Sequence, residues 1–117
     1  MDTIPDAIRC YMALWSEDNA EIRRQLLERC WAEDGTIEIE TRRLVGRAGV
    51  EAEVAWFKSE RSTDRAELTS DIDQVGNWVR YTARVVRPDG THYSDVLDVF
   101  ELDGEGRIKR LLTFRAP

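Results

Sequence analysis

The stretch WVRYTARVVRPDGTHYSDVLDVFEL, residues 78–102, decides the fold. Two runs rich in β-branched and aromatic residues, Trp78–Arg87 and Thr91–Leu102, flank Arg87-Pro88-Asp89-Gly90-Thr91, and Asp-Gly between such runs signals a hairpin. With Asp89 and Gly90 as a two-residue loop, Pro88 faces Thr91. Val85 then lies opposite Ser94, Ala83 opposite Val96, Tyr81 opposite Asp98 and Val79 opposite Phe100. The other face of the first strand carries Trp78, Arg80, Thr82 and Arg84, which suits solvent or a partner subunit. On the second strand Tyr93, Leu97 and Val99 make that outer face apolar as well. A sheet apolar on both sides points to a second copy of the chain on its outer face.

This register puts one charge, Asp98, in the middle of an apolar face. Burial disfavours the charged form of a carboxyl, so its pKa should rise, and Tyr81 across the ladder is placed to hydrogen-bond it. Two readings follow: a functional acid, or a buried carboxyl satisfied by hydroxyls or helix N–H groups that ties sheet to helices. A slip of one residue would turn Asp98 outward and remove both.

Strands continue on either side of the hairpin. Glu67–Val75 reads as a weaker strand, and the turn Asp103-Gly104-Glu105-Gly106 leads into another from Arg107 to Phe114. Toward the N-terminus the pattern becomes helical. Ile8, Tyr11, Met12 and Trp15 mark one face of a helix from Pro5 to Trp15, with Pro5 in its first turn. Asp18 opens a second helix, Glu21 completing a capping-box-like pair, with a stripe of Ile22, Leu26, Leu27, Cys30 and Trp31 and a stop at Gly35. Thr36–Glu40 alternates as a short strand with Ile37 and Ile39 inward. Arg42–Gly46 is a loop, and a third helix runs over 48–60 with Val50, Val54 and Phe57 on one side and Trp56 beside it. The order predicts an α+β fold with helices on one face of a curved antiparallel sheet.

At 117 residues and 13.5 kDa the chain is one domain, 1–117, large enough for a core without staples. The 42% hydrophobic and 34% charged content excludes a disordered chain, and no apolar run approaches the length of a membrane span. The acidic N-terminus Met1–Asp6 lacks the order of a signal peptide, so a cytoplasmic protein is expected. A net charge of −6 opposes nucleic-acid binding. One histidine and two cysteines cannot build a structural zinc site. No metal and no cofactor are expected, and Cys10 and Cys30 are expected as reduced, buried thiols.

The chain resembles the nuclear-transport-factor-2-like superfamily, and within it the SnoaL-like and ketosteroid-isomerase-like proteins. The segments that carry the resemblance are Arg9–Trp15, Leu27–Glu38, Leu44–Val50 and Asp98–Ile108, together covering the order of the whole chain. It implies a cone: a curved sheet wrapped around three helices in the N-terminal half, with an apolar pocket at the wide end and a homodimer through the convex face. In ketosteroid isomerase a pocket Tyr and a protonated Asp form the oxyanion hole while a second Asp moves the proton. Matching the motifs places Tyr11 and Asp98 on the oxyanion-hole pair. The general-base position falls on Ile39, which cannot take a proton, and Glu38 and Glu40 beside it should point away. Steroid isomerisation by that mechanism is therefore not expected. SnoaL-type cyclases rely on a pocket Asp, which keeps Asp98 with Tyr11 as candidates for acid/base catalysis of isomerase, cyclase or dehydratase type.

The expected partner is a small, largely apolar molecule. Trp15, Trp31, Trp56, Phe57, Tyr81, Val96 and Phe100 would line its site, with Ser94 beside them and His92 at the rim. Leu111 and Thr113 would add to the lining from the last strand. Arg42, Arg43 and Arg47 cluster near the rim, and Trp78 is the interface candidate. The alternative is a non-catalytic ligand-binding, dimerisation or protein-interaction module, in which Asp98 serves the fold alone.

Overall fold

The computed structural model describes residues 4–61 and 63–115. It contains helices α1 (Asp6–Leu14), α2 (Ala20–Cys30) and α3 (Gly46–Glu60), and strands β1 (Trp31–Ile39), β2 (Arg42–Val45), β3 (Arg65–Leu68), β4 (Asp73–Val75), β5 (Trp78–Val86), β6 (His92–Leu102) and β7 (Ile108–Arg115). The strands form one sheet in the order β2-β1-β7-β6-β5-β3, with β4 also on β5. The architecture is α+β, as the hairpin and the three amphipathic segments require. The sheet is antiparallel except where β1 lies parallel to β7. That one parallel contact brings the two ends of the chain's strand set together and completes the wall behind the helices.

The main hairpin keeps the expected pairs, Val79 with Phe100, Tyr81 with Asp98, Ala83 with Val96 and Val85 with Ser94. Its tip differs. Arg87 N–H donates to Thr91 O at 2.8 Å and Gly90 N–H to Arg87 O at 2.9 Å, a three-residue loop with Gly90 at φ 90°. Gly90 supplies the left-handed conformation that such a loop needs. A bulge between Val85 and Val86 then absorbs the offset, placing Val86 opposite His92. Loop and bulge compensate, so Asp98 stays on the inner face.

Other boundaries shift for identifiable reasons. Asn19, not Asp18, caps α2, its side chain accepting from Glu21 N–H at 2.9 Å and Ile22 N–H at 3.1 Å. Asp18 is drawn elsewhere: its carboxylate meets Lys58 at 2.9 Å and its carbonyl accepts from Arg23. Arg23 is itself buried, bridging the α1–α2 connection to Glu51 of α3. Helix α2 ends at Cys30 rather than near Gly35, because Trp31 is already extended (φ −115°, ψ 128°). Gly35 lies inside β1, where the register against β7 shifts between Trp31 and Thr36. A Cβ there would stand 2.5 Å from Trp31 Nε1 and 2.8 Å from Ile108 O, so only glycine fits. The expected loop over 42–46 instead forms β2 on β1, the chain reversing at Glu40 with φ 54°. The expected strand Glu67–Val75 splits into β3 and β4, because Ser70 Oγ accepts from the Thr82 N–H, which a continuous ladder would use.

The core lies between the helices and the inner face of the sheet. Ile8 and Leu14 of α1, Leu27 of α2, and Val50 and Val54 of α3 meet Ile37, Val79, Phe100, Ile108 and Leu111, all almost fully buried. Each such side chain contributes about 1.5–3 kcal/mol by leaving water. Among the described residues no helix is long and apolar enough to cross a membrane.

Candidate functional site

Tyr81, Asp98 and Thr113 lie side by side across β5, β6 and β7. All three point to the inner face because they share the parity of Val79, Phe100 and Leu111. Thr113 Oγ1 donates to Asp98 Oδ1 at 2.8 Å. The Tyr81 hydroxyl faces the same carboxylate across the ladder and favours its charged form. Asp98 is 7% exposed and is the one carboxylate among the buried described residues. Burial pushes its pKa up to about 6, against the two hydroxyls, which favour the charged form. Burial also raises Tyr81 far above the ordinary phenol range, the nearby Asp98 charge adding to it. Its phenol therefore stays protonated.

Helix α1 brings Tyr11 to this row. Its pKa stands well above the usual value, through burial first and then the charges of Asp98 and Tyr81, with the neighbouring Trp15 indole partly opposing them. Tyr11 thus neighbours Asp98 electrostatically, while the hydrogen bond to the carboxylate comes from Thr113, with the Tyr81 hydroxyl across the ladder. Around Tyr11 the rings interlock. It meets Phe100 edge-on at 5.2 Å and Trp15 at 6.2 Å, and stacks on Trp31 at 5.8 Å. Phe100 contacts Tyr81 at 5.5 Å, and Trp15 meets Phe57 at 5.4 Å. Trp15 and Phe57 are the half-buried members, so they mark the side of the cluster nearest water.

The expected lining is thus brought together in part. Trp15, Trp31, Phe57, Tyr81 and Phe100 join Tyr11 and Asp98, and Ser94 and Val96 continue the same face half-buried. Trp31 arrives from the start of β1 rather than from α2, and its indole N–H has no partner among the described residues. Trp56 stands apart, 52% exposed on the other side of α3. Helical spacing explains it: Val54 and Phe57 take the inward positions, leaving residue 56 a quarter-turn outside. His92 is also set apart. The bulge moves it to the hairpin tip, where Nε2 lies 3.3 Å from Asp95 Oδ2, exposed. Arg42 pairs with Glu53 and Arg47 donates to Trp31 O, so the first ties β2 to α3 and the second ties α3 to β1. What the sequence left unassigned is the bond from Thr113, although the alternation of β7 carries the signal for it.

A cavity of about 470 Å³ lies on the opposite, outer face, lined by Thr36 and Glu38 of β1, Arg43 of β2, Glu101 of β6 and Arg110 of β7, among others. It is a charged trough, in which Glu38 pairs with Arg110 at 3.1 Å, and it is separate from the aromatic cluster. No group of three or more His, Cys, Asp or Glu side chains converges among the described residues.

No family model matches the chain, and no curated protein matches it. Solved structures do. A SnoaL-like family protein from Agrobacterium tumefaciens, provisionally named an isomerase, is 29% identical, covers 95% of each chain and superposes with a TM-score of 0.86. The chain is thus similar to SnoaL-like proteins and shares the nuclear-transport-factor-2-like fold. A Sinorhizobium meliloti protein provisionally named a polyketide cyclase shares the fold at 22% identity, over 95% of each chain, with a TM-score of 0.66. So does a cystatin-fold protein from Novosphingobium aromaticivorans, at 19% identity over 97% of this chain and 100% of the other, with a TM-score of 0.70. Ile39, which the resemblance sets where a general base would stand, is inward and 7% exposed. Its neighbours turn outward, Glu38 to Arg110 and Glu40 to Arg115 at 3.3 Å.

Proposed function

We propose that the chain binds a small, largely apolar molecule against the Tyr11–Tyr81–Phe100 rings, and that Asp98, with Tyr11, performs acid/base chemistry of isomerase, cyclase or dehydratase type. The observation that carries this reading is a single buried carboxyl held near neutrality inside an aromatic cluster. A group with a pKa of about 6 has both protonation states accessible at neutral pH, as proton transfer requires. The names carried by the Agrobacterium and Sinorhizobium proteins are in keeping with this reading. One positioned acid or base contributes roughly 10²–10⁴-fold. With Ile39 at the other expected position, Asp98 carries the proton by itself.

A ligand reaching Asp98 passes Trp15 and Phe57, the half-buried pair. Tryptophan emission during titration with the bicyclic ketone β-tetralone tests binding. Saturable quenching that survives in Asp98→Asn supports a ligand site, and its absence removes the reading. The second reading, a non-catalytic dimerisation or interaction module, is favoured by the outer face, where Trp78 and Phe114 are 40% and 54% exposed. The register sets Leu97 beside Phe114 and Val99 beside Leu112 on that same face, and a homodimer through it serves either reading. A reducing cytoplasm suits the two buried free thiols, Cys10 and Cys30.

A further inference from the structure

We infer that Thr113 is a positioning residue: together with Tyr81 it makes Asp98 a hydrogen-bond acceptor, and so the base of the site rather than a proton donor to a ligand oxygen. The inference deepens the reading above and rests on it for its chemistry, while its geometry stands on three adjacent strands. Asp98 is the middle member of a ladder row, with Tyr81 on one side and Thr113 on the other. Each neighbour ends in a hydroxyl, and Thr113 Oγ1 reaches Oδ1 at 2.8 Å. A carboxylate that accepts the Thr113 O–H and faces the Tyr81 hydroxyl offers lone pairs to whatever approaches next, whereas a protonated acid would offer its hydrogen.

The groups facing Asp98 are the Tyr81 hydroxyl from β5, the Thr113 hydroxyl from β7 and the Tyr11 phenol from α1. Among the described residues no cation and no second carboxylate acts on it, so burial and hydroxyl donors alone set its state. Of the two donors, Tyr81 is also a wall of the aromatic cluster. Thr113 is not, and among the described residues its side chain has this one hydrogen bond. Replacing it therefore isolates the effect of the bond from that of the rings.

The test is a carbon-13 NMR titration of the Asp98 carboxyl in the whole protein, as wild type, Thr113→Val, Thr113→Ala and Thr113→Ser. Loss of a donor to the charged form should raise the midpoint by roughly one pH unit in the Val and Ala variants, and Ser should restore it. A midpoint that stays put or falls would overturn the assignment. If the Val variant does not fold, the Ala and Ser pair decides the same comparison. A second readout follows exchange of the α-protons of β-tetralone in deuterated water. The carboxylate takes the proton, the C–H electron pair passes into the enolate, and a deuteron returns to carbon. A base gives a rate that rises with pH through the Asp98 titration and shifts upward in Thr113→Val. A rate that falls with pH identifies a donor and overturns the inference. Absence of exchange alongside a shifted titration leaves Thr113 as the positioning residue and refutes the acid/base reading instead.

Discussion

Asp98 is held by competing influences of one residue each: the rings that strip its water, and the hydroxyls of Tyr81 and Thr113 that replace part of it. Its folded-state pKa of about 6 lies above the ordinary 3.8, so the native state binds the extra proton. Stability from this group therefore increases as pH falls through 6 toward 4 and is lost as pH rises. Urea unfolding of wild type and Asp98→Asn between pH 4.5 and 8 should show the wild type gaining relative to the variant toward acid, by up to about 3 kcal/mol. A constant difference would mean that the carboxyl is not desolvated in solution. Cys30 offers a second residue-scale outcome. Burial pushes its thiol up to about 12, with the neighbouring Cys10 adding to it. A disulfide-exchange reagent at pH 8 should leave it unlabelled in the native protein and label it once urea unfolds the chain. The unusual residue was legible from one register argument, because alternation assigns a face to every position of a strand. The partners were less so: Tyr81 followed from the hairpin, whereas Thr113 needed the register of the strand beyond the Asp103–Gly106 turn, which a bulge between Glu101 and Leu102 offsets.

At the scale of elements, local chemistry explains most boundaries and tertiary contacts explain the rest. Asn19 caps α2 because Asp18 is held by Lys58 and Arg23, contacts from 40 residues and one helical turn away that no local pattern announces. Strand β2 forms from a segment with no strong alternation because Ile37 and Ile39 already present a ladder edge to it. Gly35 reads as a helix stop in the sequence but serves a strand, since Trp31 and Ile108 crowd the space its side chain would fill. Gly35→Ala should accordingly destabilise by about 1–3 kcal/mol, read from the urea midpoint. An unchanged midpoint would show that β1 relaxes around the methyl group. Trp56 belongs to the same lesson. Its position beside the buried stripe of α3 is plain in the sequence, yet which side of that stripe meets the sheet depends on how the helix is rolled against β1.

For the whole molecule, the open question of the outer face becomes a measurement. Sedimentation of wild type and Trp78→Glu should show a dimer weakened by the substitution, because a charge placed on the outer face, between Val75 and Glu101 and diagonal to Val99, must be desolvated on association. Identical sedimentation would take Trp78 out of any interface. The amino-acid sequence by itself determined the α+β class, the hairpin register and the inward face of residue 98, because these depend on periodicities of two and 3.6 residues that act locally. Only the tertiary structure decided that β1 lies parallel to β7, that Trp31 stacks on Tyr11, and that two hydroxyls from separate strands converge on one carboxyl. Those depend on the packing of segments distant in the chain, where burial favours many arrangements and steric fit selects one.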